Sequence, residues 1–265
     1  MEQNNQLISG VLHQTKSAPN YTLRRYFPSP QLSSLVEQYW LVNWDLPEDS
    51  QHVQRNLPDP NCHLTFLPNK CEFLGPVSKV YDYTMHGQNG IIGVKFKLGA
   101  LACVLPNPIE HYMDTVISMP SFLHCDLAAL SKTLSQTDND KARVHALEQA
   151  LEPLCGYVKV HHVQQLSALI ERIKSNDDIY TVEDLALQSG VSKRTLQRQF
   201  KQYIGLSPKY LIRKYRLHAA LTLLERHPND IHHLVNKLDY ADQAHLIKDF
   251  KNILGMTPGA YIDDI

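Results

Sequence analysis

The chain has no stretch approaching the roughly 18 consecutive apolar residues that span a bilayer, and its polar start, MEQNNQ, does not read as a secretory signal. Those two absences predict a cytoplasmic protein with no membrane partner. Cysteine is sparse: Cys62, Cys71, Cys103, Cys125 and Cys155 are five, an odd number without a close pair. That argues against a disulfide framework and suits free thiols in a reducing compartment. Cys62-His63 with Cys71, Cys103 or His111 lacks the spacing of a zinc site, so no metal is expected. There is no GxSxG elbow, no phosphate-cradling glycine loop, no HExxH and no paired-carboxylate motif. No enzyme and no cofactor are therefore expected. His161-His162 and His232-His233 read as solvated helix positions.

Acid is missing too, from one window. Between Leu185 and Leu224 there are eight Lys or Arg and no Asp or Glu, in a chain of net charge −1. Such a window is an electrostatic footprint for phosphate. From Glu225 onward the balance reverses, with seven acids against four Lys or Arg.

What is present in this region is a repeat with a period of fifty residues. Phe200-Lys201 recurs as Phe250-Lys251, Gly205 as Gly255, Ser207-Pro208 as Thr257-Pro258 and Leu196 as Leu246. In the first copy Thr181 and Asp184 form a capping-box pattern ahead of Val182, Leu185 and Ala186 on one face. Gly190 supplies the positive φ of a turn, and Ser192 caps a second helix that ends near Gly205. Helix, glycine turn and helix make a helix-turn-helix outline. Within the second helix Leu196, Phe200 and Ile204 point inward, while Arg194, Gln197, Arg198 and Lys201 share another face. Arg can make two hydrogen bonds to guanine and Gln two to adenine in the major groove. An ordinary solvated face has the same period but does not account for the acid-free window.

Residues 181–262 resemble the DNA-binding domain of the AraC/XylS family of bacterial transcription regulators. The resemblance rests on Leu185-Ala186, Gly190, Ser192, Leu196, Arg198-Gln199-Phe200-Lys201, Gly205, Ser207-Pro208 and Tyr210 in the first copy. The second contributes Tyr240-Ala241-Asp242-Gln243, His245, Lys248, Phe250-Lys251, Gly255, Thr257-Pro258 and Tyr261. It implies helix-turn-helix units at 181–204 and 230–254 joined by one helix over 208–226. The two recognition helices would enter successive major grooves, about one helical turn or roughly 34 Å apart. Promoter DNA and RNA polymerase are the implied partners. The implied DNA-binding residues are Lys193, Arg194, Gln197, Arg198 and Lys201 in the first unit. Gln243, Lys248 and Lys251 follow in the second, with Arg213, Lys214 and the neighbouring Arg216 near phosphates.

The second copy departs from the family pattern. Asp239 stands where glycine is usual, Ala244 where serine is usual and Leu246 where phenylalanine is usual. Its outward positions become Ala244, Ile247, Lys248 and Lys251. The first unit is therefore expected to supply most affinity and reading, and the second register, apolar contact or a polymerase surface.

Residues 1–20 are polar and expected to be disordered or loosely attached. A regulatory domain is predicted over 21–173, a linker over 174–180 and the DNA-binding domain over 181–265. Windows at 39–44, 63–67 and 91–96 are β-rich, and from Ala100 to Asn176 the texture turns helical. Pro30-Gln31-Leu32 through Tyr39-Trp40, Leu57-Pro58-Asp59 and Gly93 to Ala100 more loosely resemble a sensory domain found on some AraC-type regulators. Trp40, Trp44, Phe66 and Phe96, with Tyr81 and Tyr83, can line an apolar ligand pocket or simply form core. The stripe Val163, Leu166, Ile170 and Ile173 can pair two subunits of a homodimer or pack within one chain.

The fold expected is an α+β N-terminal domain, β-rich and then helical, followed by an all-α domain of two helix-turn-helix units. The function expected is a sequence-specific transcription regulator, activator or repressor, controlled through a small-molecule effector. The alternative is control by oligomerisation or a protein partner without an effector.

Overall fold

A computed structural model of the chain describes residues 10, 12, 17–68, 70–121, 126–175, 178–226 and 231–263. Cys125, the linker residues Asn176 and Asp177, and most of the start predicted to be disordered lie outside these. The side chains of His232 and His233 lie outside them as well.

The first half is β-rich because its apolar residues alternate. Strands β1 (Thr22–Tyr26), β2 (Val36–Asp45), β4 (His63–Leu67), β5 (Lys70–Leu74), β7 (Gln88–Phe96) and β8 (Val116–Ser118) form one antiparallel sheet, ordered β1-β2-β7-β4-β5-β8. Strands β3 (Gln51–Asn56) and β6 (Tyr81–His86) pair separately as a two-stranded sheet. Register gives the large sheet two distinct faces. On one, Tyr39, Val94, Leu64 and Phe73 lie side by side, all buried. On the other, Arg25, Trp40, Gly93, Thr65 and Glu72 lie side by side. Gly93 is required there, since a Cβ would sit 1.9 Å from Cε2 of the Trp40 indole that lies across it.

The first face packs on α1 (Leu127–Gln136) and α2 (Asp140–Leu151) through Leu127, Leu130, Leu134, Leu147 and Leu151. Asp126 and Asn139 cap these helices, accepting from backbone N–H groups in their first turns. The segment 100–118, predicted to be helical, holds instead two short 3-10 turns (Ala100–Cys103 and Ile109–Tyr112) and the edge strand β8. Pro106 and Pro108 lie between the turns and deny the backbone N–H groups a continuous α-helix needs.

Helix α3 (Val160–Ser175) leads to α4 (Val182–Ser189), α5 (Lys193–Tyr203), α6 (Pro208–Arg226), α7 (Ile231–Lys237), α8 (Gln243–Leu254) and α9 (Pro258–Asp263). The first unit forms as its caps predict. Thr181 Oγ1 accepts from Asp184 N at 3.1 Å, and the Asp184 carboxylate accepts from Thr181 N at 2.7 Å. Gly190 ends α4 at φ 66°, and Ser192 caps α5. In the second unit Asp239 takes the left-handed place at φ 53° without glycine's freedom, and Asp242 caps α8.

The cores cross the boundary between the halves. Leu196, Phe200, Ile204 and Leu206 of the first unit share a core with Leu166, Ile170 and Ile173 of α3 and with Leu98 of the β-rich half. The α3 stripe is thus covered within the chain, leaving no apolar face there for a second subunit. The second unit's Leu246, Phe250 and Ile253 pack with Leu217, Leu221 and Leu224 of α6, and with Leu12 and Leu57. Leu12, in the segment predicted to be loose, is buried, and its N–H donates to Arg55 O at 3.0 Å. Ile179, in the predicted linker, is buried too. Full burial of a side chain such as Phe200 contributes on the order of 2–3 kcal/mol. Among the described residues no helix is long and apolar enough to cross a membrane.

Candidate nucleic-acid interface and the cavity behind it

The amphipathic period of α5 buries Leu196 and Phe200 and leaves Arg194, Gln197 and Arg198 exposed on one side. Neither Arg194 nor Arg198 has a carboxylate within ion-pair distance among the described residues. These side chains are available to a partner. The flanking cations are engaged within the chain. Lys193 pairs with Glu183 of α4, and Lys201 Nζ lies 2.8 Å from Oε2 of Glu110, in the 3-10 turn of the β-rich half. Beside that contact Ile109 and Met113 close on Gly205, whose φ is 84°. On α8 Gln243, Ala244, Lys248 and Lys251 are exposed and Ile247 is half-buried.

Arg213, Lys214 and Arg216 of α6 do not stand together toward phosphate, and that expectation is corrected. Arg213 turns to α8, where its Nε donates to Oδ1 of the buried Asp249 at 2.9 Å. Arg216 is buried between the rings of Tyr180 and Tyr240 and donates to Tyr180 O at 2.6 Å. Lys214 is 4% exposed and points into the protein. Successive helix positions are 100° apart, so a cluster along the sequence is scattered around the axis.

Lys214 points into a half-open cavity of about 1520 Å³ lined by the second face of the large sheet, the β3–β6 pair, α3 and α6. Trp40 lines it, as do Tyr81 and Tyr83. Trp44, Phe66 and Phe96, the other pocket candidates, do not. Phe66 and Phe96 lie on the opposite face of the sheet in the core, and Trp44 is buried with its Nε1 donating to His86 O at 3.1 Å. The cavity has a charged end and an apolar end. Val42, Ile91, Leu67 and Met85 line one region. At the other, Lys95 Nζ lies 3.0 Å from Asp59 and 3.4 Å from Glu37, and His63 Nε2 lies 3.4 Å from Asp59. Burial alone would raise the Asp59 carboxyl, but Lys95 and the hydrogen bond from His63 hold it well below the usual carboxylate range. Burial likewise works against the Lys95 ammonium, and the two carboxylates keep it charged.

From the helical wall Lys214, Tyr215, His218, Ala219 and Thr222 of α6 face the same space. Burial lowers the Lys214 ammonium to about 8, against the attraction of Asp59 and with help from Lys95 and Lys174. Burial also drives His218 well below the ordinary imidazole value, so it is neutral. The sequence pointed Lys214 to phosphate and did not single out Asp59, Lys95 or His218 as parts of a site. The legible signal was the alternation Ile91-Gly93-Lys95, which puts a lysine on the same face as apolar neighbours, and the i, i+4 spacing of Lys214 and His218.

Residues 185–264 match the model of a helix-turn-helix domain family, and residues 24–118 match a domain of unknown function, DUF6597. The chain carries an AraC-type helix-turn-helix domain. Relatives of the chain include an HTH-type transcriptional regulator of Haemophilus influenzae, 26% identical over 54% of this chain and 56% of that one. MtrA of Neisseria gonorrhoeae is 27% identical over 58% of this chain and 47% of that one. The F1 operon positive regulatory protein of Yersinia pestis is 34% identical over 36% and 33%. The chain spans about half the length of the first two of these curated relatives. Among solved structures ToxT of Vibrio cholerae aligns over 92% of this chain and 98% of that one, at 9% identity and a TM-score of 0.40.

Proposed function

We propose that the protein is a sequence-specific DNA-binding transcription regulator whose cavity receives a small-molecule effector. The observation that carries this reading is the position of α6. One side of that helix walls the cavity, while its ends and other sides hold the cores of both helix-turn-helix units. A ligand that fills the cavity meets the element that sets the distance and angle between the two recognition helices. It changes DNA affinity by binding one arrangement better than another. The two ends of the cavity suit a molecule with an apolar body and a polar head.

On DNA the first unit does most of the reading, since Arg194, Gln197 and Arg198 are exposed together while α8 offers Ala244 and Ile247 at matching places. Arg198→Ala is expected to weaken promoter binding by roughly tenfold to a hundredfold, the value of a good base contact. Lys248→Ala should cost less, as one phosphate contact does. Fluorescence anisotropy on the native promoter compares the two, and a larger loss for Lys248→Ala would overturn the order. Affinity should also fall steeply with salt as counterions are released.

The Glu110–Lys201 pair holds a recognition-helix cation against the β-rich half and sets an acid beside the DNA-facing side of α5. Glu110→Gln is expected to tighten promoter binding about two- to fivefold at low salt, with the gain fading at high salt as screening grows. Unchanged affinity at low salt would show that the pair does not compete with DNA.

A further inference from the structure

We propose that the cavity takes an aldehyde on an apolar chain or ring, and that Lys214 holds it as a reversible imine. This deepens the effector reading and rests on it.

The geometry begins with an amine that has no counter-ion. Lys214 Nζ has no hydrogen-bond or ion-pair partner among the described residues, and it lies over the face of the Tyr215 ring, 4.5 Å from its centroid. The acids around it are engaged elsewhere. Asp59 serves Lys95 and His63. Glu37 serves Lys95 and accepts from Asn61 Nδ2 at 2.8 Å. On α3, Glu171 lies 2.7 Å from Lys174. Burial therefore outweighs the attraction of Asp59 and Glu37, neither of which pairs with Lys214, and its ammonium falls to about 8. About a tenth of the amine is then free at pH 7, against a few parts in ten thousand for an ordinary lysine. A free amine on a buried lysine beside another cation, here Lys95, is a nucleophile toward carbonyl carbon.

One turn along the same face stands the means to move a proton. His218 is neutral, and its Nε2 is buried without a hydrogen-bond partner. In the reaction the Nζ lone pair forms a bond to the carbonyl carbon while the carbonyl π pair moves to oxygen, which takes a proton. The resulting carbinolamine loses its hydroxyl as water, and nitrogen supplies the second pair of the C=N bond. His218 accepts the proton released by nitrogen and returns it to the departing oxygen. Nothing is oxidised or reduced, and water reverses the step and frees the ligand. An anionic ligand would instead restore the charge on Lys214 and form no bond.

The test uses the full chain, octanal and sodium cyanoborohydride, which reduces an imine to a stable amine that peptide mass spectrometry locates. Octan-1-ol, which has no carbonyl, probes the cavity separately by displacing an environment-sensitive dye. Lys214 should be modified on the order of tenfold faster than the exposed Lys209 and Lys248. Lys214→Arg and Lys214→Met, each checked for fold by circular dichroism, should retain only labelling of exposed lysines. His218→Ala should slow labelling of Lys214 and leave octanol displacement unchanged. If octanol displaces the dye while Lys214 labels no faster than Lys209, the imine is wrong and the effector cavity stands. If octanol displaces nothing and Lys214 is not labelled preferentially, both fail.

Discussion

Replacing Asp249 with alanine is expected to lower the unfolding free energy by about 3 kcal/mol and to loosen the second recognition helix from α6. Asp249 is 1% exposed, between Leu246 and Phe250 on the inner side of α8, and it takes the Arg213 guanidinium from α6. Truncation leaves that guanidinium facing a small void without a counter-ion. Breaking a buried pair in this way costs roughly 3–5 kcal/mol. The lower end applies, because the Arg213 side chain is 30% exposed and the second carboxylate oxygen, Oδ2, is buried without a hydrogen-bond partner. Losing that unserved oxygen offsets part of the penalty. Urea unfolding gives the stability, and anisotropy on promoter DNA should show the second unit's contribution gone. An unchanged urea midpoint would refute the clamp. Asp249→Asn keeps the shape and loses the charge, so it should fall between wild type and alanine.

Lys214→Met is expected to stabilise the protein at neutral pH by as much as about 3 kcal/mol. An unfolded chain holds the lysine proton up to its ordinary value of 10.5, while the folded protein releases it at about 8. The folded state thus disfavours the charged form. The stability this group contributes is highest above 10.5, falls as pH drops from 10.5 to 8, and is constant below that. Methionine fills similar space and carries no charge, so the penalty below pH 8 disappears. Urea unfolding of both proteins at pH 7 and pH 10 should show a large difference at pH 7 that shrinks toward pH 10. A Lys214→Met protein less stable than wild type at pH 7 would mean that the ammonium is well held, and would count against the unpaired amine.

How far the sequence was readable follows from which forces are local. Thr181, Asp184, Gly190 and Ser192 act within a few residues, so the first unit was legible from its caps and turn. The fifty-residue echo was legible because Leu196 and Leu246, or Phe200 and Phe250, occupy equivalent core places. Arg213, Lys214 and Arg216 were misjudged together, since a basic window weighs them equally. The helix sends one to α8, one into the cavity and one between two tyrosines. Phe66 and Phe96 were misjudged for a related reason. Alternation divides a strand into two faces, but which face meets a core depends on strands and helices far away in sequence. Trp40, Tyr81 and Tyr83 were legible as pocket candidates, but the cavity's outline and charged end were not, because its walls come from β1 through β8, α3 and α6.

The shared cores also bear on how such proteins recombine. The matched segments, 24–118 and 185–264, suggest two exchangeable cassettes with a joint near residue 180. Cutting there would strip Phe200, Ile204 and Leu206 of Leu166, Ile170 and Ile173, leaving two greasy scars instead of two folded parts. A chimaera that keeps α3 with the helix-turn-helix units carries most of that packing across the joint. The joint that keeps most of this packing whole therefore lies ahead of Val160, outside both matched segments.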